Sequence, residues 1–323
     1  MTWRSGDITG RWTIEETFHM TDKSGLHNPG RIACLGDNCV DCYTETGTAF
    51  FGGNPVNVAV YLQKLGKRSS YLGAVGTDGY GRQMLAALSD TGVDVSHVQI
   101  CEGTTARTYV TLQGDERVLG DYDEGVMRDF SLREKDYAFI GGHVLAVTGL
   151  WGHCEKCLEK IRLLGLTTAF DCADRPDDPS AQEALPYTDL LFFSDGSRDD
   201  DAQREEKLRD KLQRLWERGP KNADGNPAPH VVIATRGSRG SLAFDGETFS
   251  SCGIIPCRVV DTMGAGDSYI AGFLAAYTEG EPVSACMKAG AVCSAGTLEH
   301  AGAWQTETGT DPDPGVTVNG TDR

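Results

Sequence analysis

The segment Asp261-Thr-Met-Gly-Ala-Gly-Asp267 runs directly into an apolar, helical stretch at 268–277. Consecutive small residues at a helix opening leave backbone N–H groups free and close together, which makes a seat for an anion, most naturally a phosphoryl group. Gly264, Ala265 and Gly266 are the candidates for that seat. The acid beside them admits two readings. Asp267 is either a capping carboxylate favoured by the helix dipole, or a general base that accepts a hydroxyl proton next to a bound phosphate. A second segment, Phe51-Gly-Gly-Asn-Pro-Val-Asn57, carries Gly52 and Gly53, which permit close approach of a ligand to backbone. Asn57, near the start of the following helix, offers both a donor and an acceptor.

These groups need a scaffold that brings residues 52–57 and 261–267 together. Apolar strand-like stretches at 31–35, 69–75, 143–148, 166–171, 189–193 and 231–235 alternate with helical spacing at 57–65, 154–164 and 201–216. Such alternation implies a largely parallel sheet with helices on both faces. One region breaks the rhythm: 104–112 and 116–121 are β-rich and joined by Gly114-Asp115, which reads as a hairpin. With 43–51 it is expected to form a small separate sheet, and Gly219 to Pro229 reads as a polar surface loop. Residues 1–30 lack a sustained period and read as an appendage. The stretch after Trp304, rich in Thr, Asp, Pro and Gly, is expected to be disordered.

Composition narrows the function classes. A length of 323 residues fits two domains of ~150 residues or one large α/β domain with an insertion. No run of about 18 apolar residues exists to cross a bilayer. The charge, 30 − 47 = −17, repels phosphate backbones and anionic lipid, arguing against nucleic acid and membrane surfaces as partners. Eleven cysteines in a chain this long are too sparse for a disulfide scaffold, and the first thirty residues have no apolar core of a secretion signal. Reduced thiols and a cytoplasmic location are therefore expected. Two C-x-x-C pairs, Cys39/Cys42 and Cys154/Cys157, have zinc-ligand spacing but lack knuckle turn residues, and 154–157 reads more simply as the start of a helix. Asn319-Gly-Thr321 is a formal glycosylation sequon read as accidental.

Together, 51–66 and 261–267 resemble the paired signatures of the PfkB (ribokinase-like) sugar kinase family, G-G-x-x-x-N-x-A and D-T-x-G-A-G-D. The second is matched at every fixed position, and the resemblance covers roughly 31–304. Weaker matches support it: Gly36-Asp-Asn-Cys-Val-Asp41 after the first strand, Thr235-Arg-Gly-Ser-Arg-Gly240 against T-x-G-x-x-G, and Phe170-Asp-Cys-Ala-Asp-Arg175 against F-D-x-N-x-R, with Ala173 in place of Asn. The family's N-x-x-E is missing where Ser194-Asp-Gly-Ser-Arg-Asp-Asp-Asp201 stands, so no metal ligand is assigned. No P-loop, no H-R-D and no G-x-G-x-x-G after the first strand is present.

The resemblance implies an α/β fold: a three-layer, ribokinase-like Rossmann-type core with a mainly parallel sheet. A small β-sheet lid would arise from about 43–51 and 104–123, all within one kinase domain at 31–304. It implies that Asp37, Gly53 and Asn57 hold sugar hydroxyls, with Asn38, Asp41 and Gly52 nearby, and that Asp267 is the base. Gly264, Ala265 and Gly266 would stabilise the transferring phosphoryl; Thr235, Gly237, Ser238 and Gly240 would border ATP; Asp261 would fix the turn. Mg²⁺ would bridge nucleotide oxygens mainly through water. Segments 35–41, 120–126, 151–153 and 300–304 are most similar to family members that phosphorylate the 6-hydroxyl of fructoselysine, a glycated lysine. For such a substrate Asp121, Asp123 and Glu124 would pair with cations, and His153 would meet a sugar hydroxyl or serve the structure alone. Arg107 is expected to face solvent. Another acceptor in the same family (fructose, ribose, a nucleoside, another glycated amine) and a non-catalytic sugar- or nucleotide-binding regulator remain the alternatives, and pairing of two copies through the lid is expected.

Overall fold

The computed structural model describes residues 30–43, 48–113, 116–196, 202–228 and 230–304. Nearly all of the N-terminal appendage, the tail after Trp304 and the Gly114-Asp115 turn lie outside the described residues.

The main sheet contains β1 (Ile32–Leu35), β4 (Ser69–Leu72), β9 (Leu145–Gly149), β10 (Thr167–Asp171), β11 (Leu190–Ser194), β12 (Val231–Thr235), β13 (Ser241–Phe244) and β14 (Phe249–Cys252). Their order is β14-β13-β12-β11-β10-β9-β1-β4; only the β12/β13 and β13/β14 pairs are antiparallel. Successive strand residues point to opposite faces, and here both faces are apolar. Ile32, Cys34, Leu190, Phe192 and Ile233 pack on one side against α1 (Asn54–Lys64), α2 (Gly79–Asp90), α7 (Ala265–Tyr277) and α8 (Val283–Leu298). Their neighbours Ala33, Leu35, Leu191, Phe193 and Val232 face the other layer, which holds α3 (Glu134–Ile140), α4 (Leu158–Leu163), α5 (Pro179–Ala184) and α6 (Ala202–Glu217). The expected three layers are present.

A second sheet, in the order β3-β2-β7-β8, is made of β2 (Cys39–Tyr43), β3 (Thr48–Gly52), β7 (Arg107–Gln113) and β8 (Glu116–Asp123). It leaves and re-enters the core through Gly36–Asn38 and Gly53, so the lid and the first layer of helices meet where the glycine pair lies. The expected strand at 69–75 divides: β5 (Ala74–Gly76) turns away to pair with β6 (Gln99–Cys101). Gly73 makes the break, because a Cβ there would lie 2.0 Å from the Tyr71 hydroxyl. The helix read at 154–164 opens with a 3₁₀ turn, Glu155–Cys157, before α4.

Arg107 does not face solvent. It is buried, donates to Asp78 Oδ2 at 2.7 Å and lies over the Tyr80 ring at 4.8 Å. A carboxylate 29 residues away, itself capping α2 through Gly81, supplies the partner that makes burial of the guanidinium tolerable.

Candidate active site

The carboxyl ends of β1, β9, β10, β11 and β12 lie on one side of the main sheet, where open α/β sheets bind ligands. Helix α7 starts there. Gly264 is left-handed (φ 72°), and a Cβ on it would meet the Ala303 Cβ at 2.8 Å, so only glycine makes this turn without moving the segment behind it. Asp261 fixes the turn as expected: its carboxylate accepts from the Met263 amide at 3.0 Å and the Gly302 amide at 2.7 Å. The amides of Gly264, Gly266 and Asp267 have no acceptor among the described residues, whereas the Ala265 amide points back to the Thr262 carbonyl. Of the expected trio, Gly264 and Gly266 thus keep free amides and Ala265 does not, and the Asp267 amide is free beside them. Gly266 borders open space.

Asp267, in the first turn of α7, is half-buried and faces α1. Asn57 Nδ2 donates to its Oδ2 at 2.6 Å, and Asn54 Nδ2 donates to its Oδ1 at 2.8 Å. Asn54 does more. The same amide nitrogen donates to Asp171 Oδ2 at 2.8 Å, and its backbone N–H reaches Asp37 Oδ2 at 3.1 Å. Its position follows from local sequence: Pro55 is pre-set for a helix start, and Gly53 (φ 103°) brings the chain so close to Asn38 that a Cβ would lie 2.6 Å from the Asn38 Cα.

Three carboxylates thus share one asparagine, and their titration reflects burial first and, for Asp37 and Asp171, the charge of Asp267. Burial pushes Asp37 up to about 7, offset by the Asn54 amide and reinforced by the charge of Asp267. Burial and the Asp267 charge raise Asp171 to about 7, with the Ala173 amide opposing. Burial raises Asp267 to about 6, against the donated hydrogen bonds of Asn57 and Asn54. A carboxyl poised near 6 is ionised at neutral pH yet basic enough to accept a proton. The remaining oxygens are unpartnered: Asp37 Oδ1, Asn54 Oδ1 and Asn57 Oδ1 are buried and accept no hydrogen bond within the protein. Each such orphan costs about 1–3 kcal/mol until a donor arrives, and a polyhydroxylated ligand brings donors.

The other expected site residues are divided. Asn38 is fully buried, and its amide is taken by the Tyr71 hydroxyl (2.9 Å) and the Ala74 carbonyl (2.7 Å), so it ties the loop under the lid. Asp41, on β2, accepts from Cys39 Sγ at 3.4 Å, and its Oδ2 lies 3.4 Å from where a Cβ on Gly52 would sit. Thr235 ends β12, with its carbonyl bonded to the Asp195 amide at 2.7 Å. Gly237 (φ 55°) and Ser238 form the following 3₁₀ turn, with Gly237 bordering open space. Gly240 (φ 78°) closes that turn, where a Cβ would collide with the Cys252 carbonyl at 2.0 Å. These four residues sit together beyond β12, on a different strand end from the asparagine-carboxylate group.

In place of the missing N-x-x-E, Asp195 accepts from Arg204 at 3.1 Å and Arg239 at 3.4 Å. No three His, Cys, Asp or Glu side chains converge as a metal site among the described residues, for magnesium or for zinc at the C-x-x-C pairs. The cysteines there are free thiols.

Two members of the central group, Asn54 and Asp171, are absent from the expected set. Both stand inside quoted motifs, Asn54 next to the glycine pair and Asp171 in the Phe170–Arg175 match. What distinguishes them is contact with residues 117 and 213 positions away, which spacing does not reveal.

The chain is similar to known proteins over most of its length. It is 41% identical over 273 residues to a fructoselysine 6-kinase of Escherichia coli, covering 84% of this chain and 99% of the relative. It is 32% identical over 279 residues to a fructosamine kinase of Bacillus subtilis, covering 85% and 93%. The ribokinase of Arabidopsis thaliana, solved with ribose and ATP, has the same fold: TM-score 0.74 at 23% identity, covering 85% of this chain and 94% of that one. The profile of the pfkB family carbohydrate kinases matches residues 32–308. With the glycine-opened helix, its acid and the lid sheet already in view, the chain belongs to the pfkB family of carbohydrate kinases.

Proposed function

We propose that this protein is a cytoplasmic kinase that transfers the γ-phosphoryl of ATP to the 6-hydroxyl of fructoselysine, giving fructoselysine 6-phosphate and ADP. The observation that carries the reading is the meeting, at one place, of an ionisable acid raised to about 6, free amides at a helix start, and three buried acceptors without donors. The similarity to fructoselysine 6-kinases supports the choice of sugar.

In this reading the sugar lies between α1 and the Gly36–Asn38 loop, its hydroxyls donating to Asp37 Oδ1, Asn54 Oδ1 and Asn57 Oδ1. Asn54 and Asn57 hold the Asp267 carboxylate by its two oxygens, so its basic lone pair is directed at the attacking hydroxyl. Asp267 removes the proton as that oxygen attacks the γ-phosphorus of ATP. The amides of Gly264, Gly266 and Asp267, at the positive end of α7, face the charge on the transferring group. Thr235, Gly237 and Ser238 border the nucleotide, with Gly240 allowing the turn. Mg²⁺ enters with ATP as part of that substrate and neutralises phosphate charge; the protein offers it no carboxylate cage among the described residues. Pairing of two copies through the lid sheet belongs to the same proposal, tested by sedimentation.

The decisive experiment is a coupled ADP-release assay with ATP and Mg²⁺ against fructoselysine, fructose, ribose and adenosine. A preference in kcat/KM for fructoselysine of about a hundredfold or more supports reaction and substrate together. Preference for a plain sugar or nucleoside overturns the substrate, and no turnover with any of them favours the non-catalytic regulator.

A further inference from the structure

The group around Asn54 accounts for a sugar. It does not account for the row of side chains continuing past Asp37. Tyr122, at the end of β8, donates from its hydroxyl to the Asn38 carbonyl at 3.3 Å and so links the Asp37 loop to the lid. Two residues on, the Glu124 carboxylate pairs with Arg128 Nε at 3.8 Å and lies 3.8 Å from His153 Nε2. His153 belongs to the loop after β9, which is pressed against the active site: a Cβ on Gly36 would lie 2.4 Å from Gly152 Cα. In that loop the Trp151 indole is 40% exposed, with the Arg175 guanidinium 5.3 Å above it. Arg175 is itself more than half exposed and reaches the Asp178 carboxylate only at 3.9 Å.

The order along this rim is acid, imidazole, flat apolar ring, guanidinium. Large aromatic side chains left uncovered beside a site are candidates for ligand contact. The loops carrying them also hold the two non-glycine residues with left-handed backbone among the described ones, His153 (φ 53°) and Ala173 (φ 49°). Such strain concentrates where a side chain must be aimed.

We propose that this rim is an amino-acid subsite, the structure's means of telling a glycated α-amino acid from a bare sugar. It rests on the reading of the substrate given above. The methylenes of the lysine chain lie along the Trp151 indole, and Arg175 receives the α-carboxylate from its place over the same ring. The sugar end stays at Asp37 and Asp267, so the molecule runs from the helix α7 start, past the Tyr122 bridge, to the rim.

The test compares three acceptors in the intact protein: fructoselysine, its Nα-acetyl derivative (no ammonium) and the fructosamine of cadaverine (no carboxylate). Wild-type selectivity is the ratio of kcat/KM for fructoselysine to that for each analogue. Arg175→Gln is expected to reduce the selectivity over the cadaverine compound by about tenfold or more while sparing that over the Nα-acetyl compound. Trp151→Ala is expected to lower kcat/KM for all three alike. Both positions are at the surface, and melting curves establish that the variants fold. Wild type that prefers fructoselysine, with an Arg175 variant that leaves both ratios unchanged, overturns the subsite alone. Wild type that ignores fructoselysine overturns the substrate assignment and the subsite with it.

Discussion

Asn54 and Asp267 are joined at 2.8 Å across 213 residues of sequence. That bond, with the one to Asp171 from the same nitrogen, fixes the acid of α7 relative to the lid loop and the end of β10. The first expectation follows from the acid itself. Asp267→Asn keeps the size and the α7 start but removes the proton acceptor. Its kcat should drop by about 10²–10⁴-fold, the usual worth of a general base, with ATP affinity by calorimetry nearly unchanged. Undiminished turnover would sink the assignment of the base.

Acidity gives a second expectation. With Asp267 at about 6, the base is ionised above that pH and protonated below it, so kcat should fall tenfold for each pH unit below about 6 and be flat toward pH 8. Asp171 stands higher, at about 7, and is already largely protonated where Asp267 titrates, so the neutral isostere Asp171→Asn should leave the acid limb of the profile nearly in place.

Removing the shared donor should shift that limb. In Asn54→Ala the ionised Asp267 loses one of its two side-chain donors, its pKa climbs, and the acid limb moves to higher pH. Turnover at pH 6 should suffer more than at pH 8, by about tenfold. Equal losses at both values would mean that Asn54 only shapes the pocket.

The glycine pair separates close approach from mere backbone freedom. Gly53 and Gly66 both have positive φ, but a Cβ on Gly53 would lie 2.6 Å from Asn38 Cα, while one on Gly66 meets nothing within 4 Å. Gly66→Ala should cost only about 1–2 kcal/mol for the left-handed conformation. Gly53→Ala carries the same cost plus displacement of the Asp37 loop, so denaturant melts should show a markedly larger loss and sugar binding should fail.

Ala173 holds a left-handed conformation (φ 49°) at the position where the family motif has Asn. Asn and Gly tolerate that region better than Ala. Ala173→Asn or Ala173→Gly should therefore stabilise the protein by about 0.5–1 kcal/mol, read as a rise in melting temperature. A fall would mean that the new side chain meets resistance in the loop.

The parts of the site that announced themselves in the sequence are those governed by local physics. Small residues opening a helix expose amides wherever they occur, so Gly264, Gly266 and Asp267 were readable, as was the alternation that builds a sheet buried on both faces. The details that escaped depend on tertiary partners. Nothing near Arg107 in the chain names Asp78, and Asn54 looks like an ordinary residue before Pro55 until Asp37, Asp171 and Asp267 surround it. The engagement of the Ala265 amide has a local reason of another kind: the tight turn at Gly264 points it back at Thr262.

The segment behind that turn sets where the chain can be shortened. Gly302 donates to Asp261, the Ala303 carbonyl accepts from the Tyr61 hydroxyl, and the Trp304 carbonyl accepts from Lys64 at 3.0 Å. A chain cut after Glu299 would keep every strand and helix described and still lose the wedge that holds the phosphate turn against α1. Ala303 is buried and Trp304 packs against the main core, so the same few residues latch the turn and close the core, and such a cut would loosen both at once.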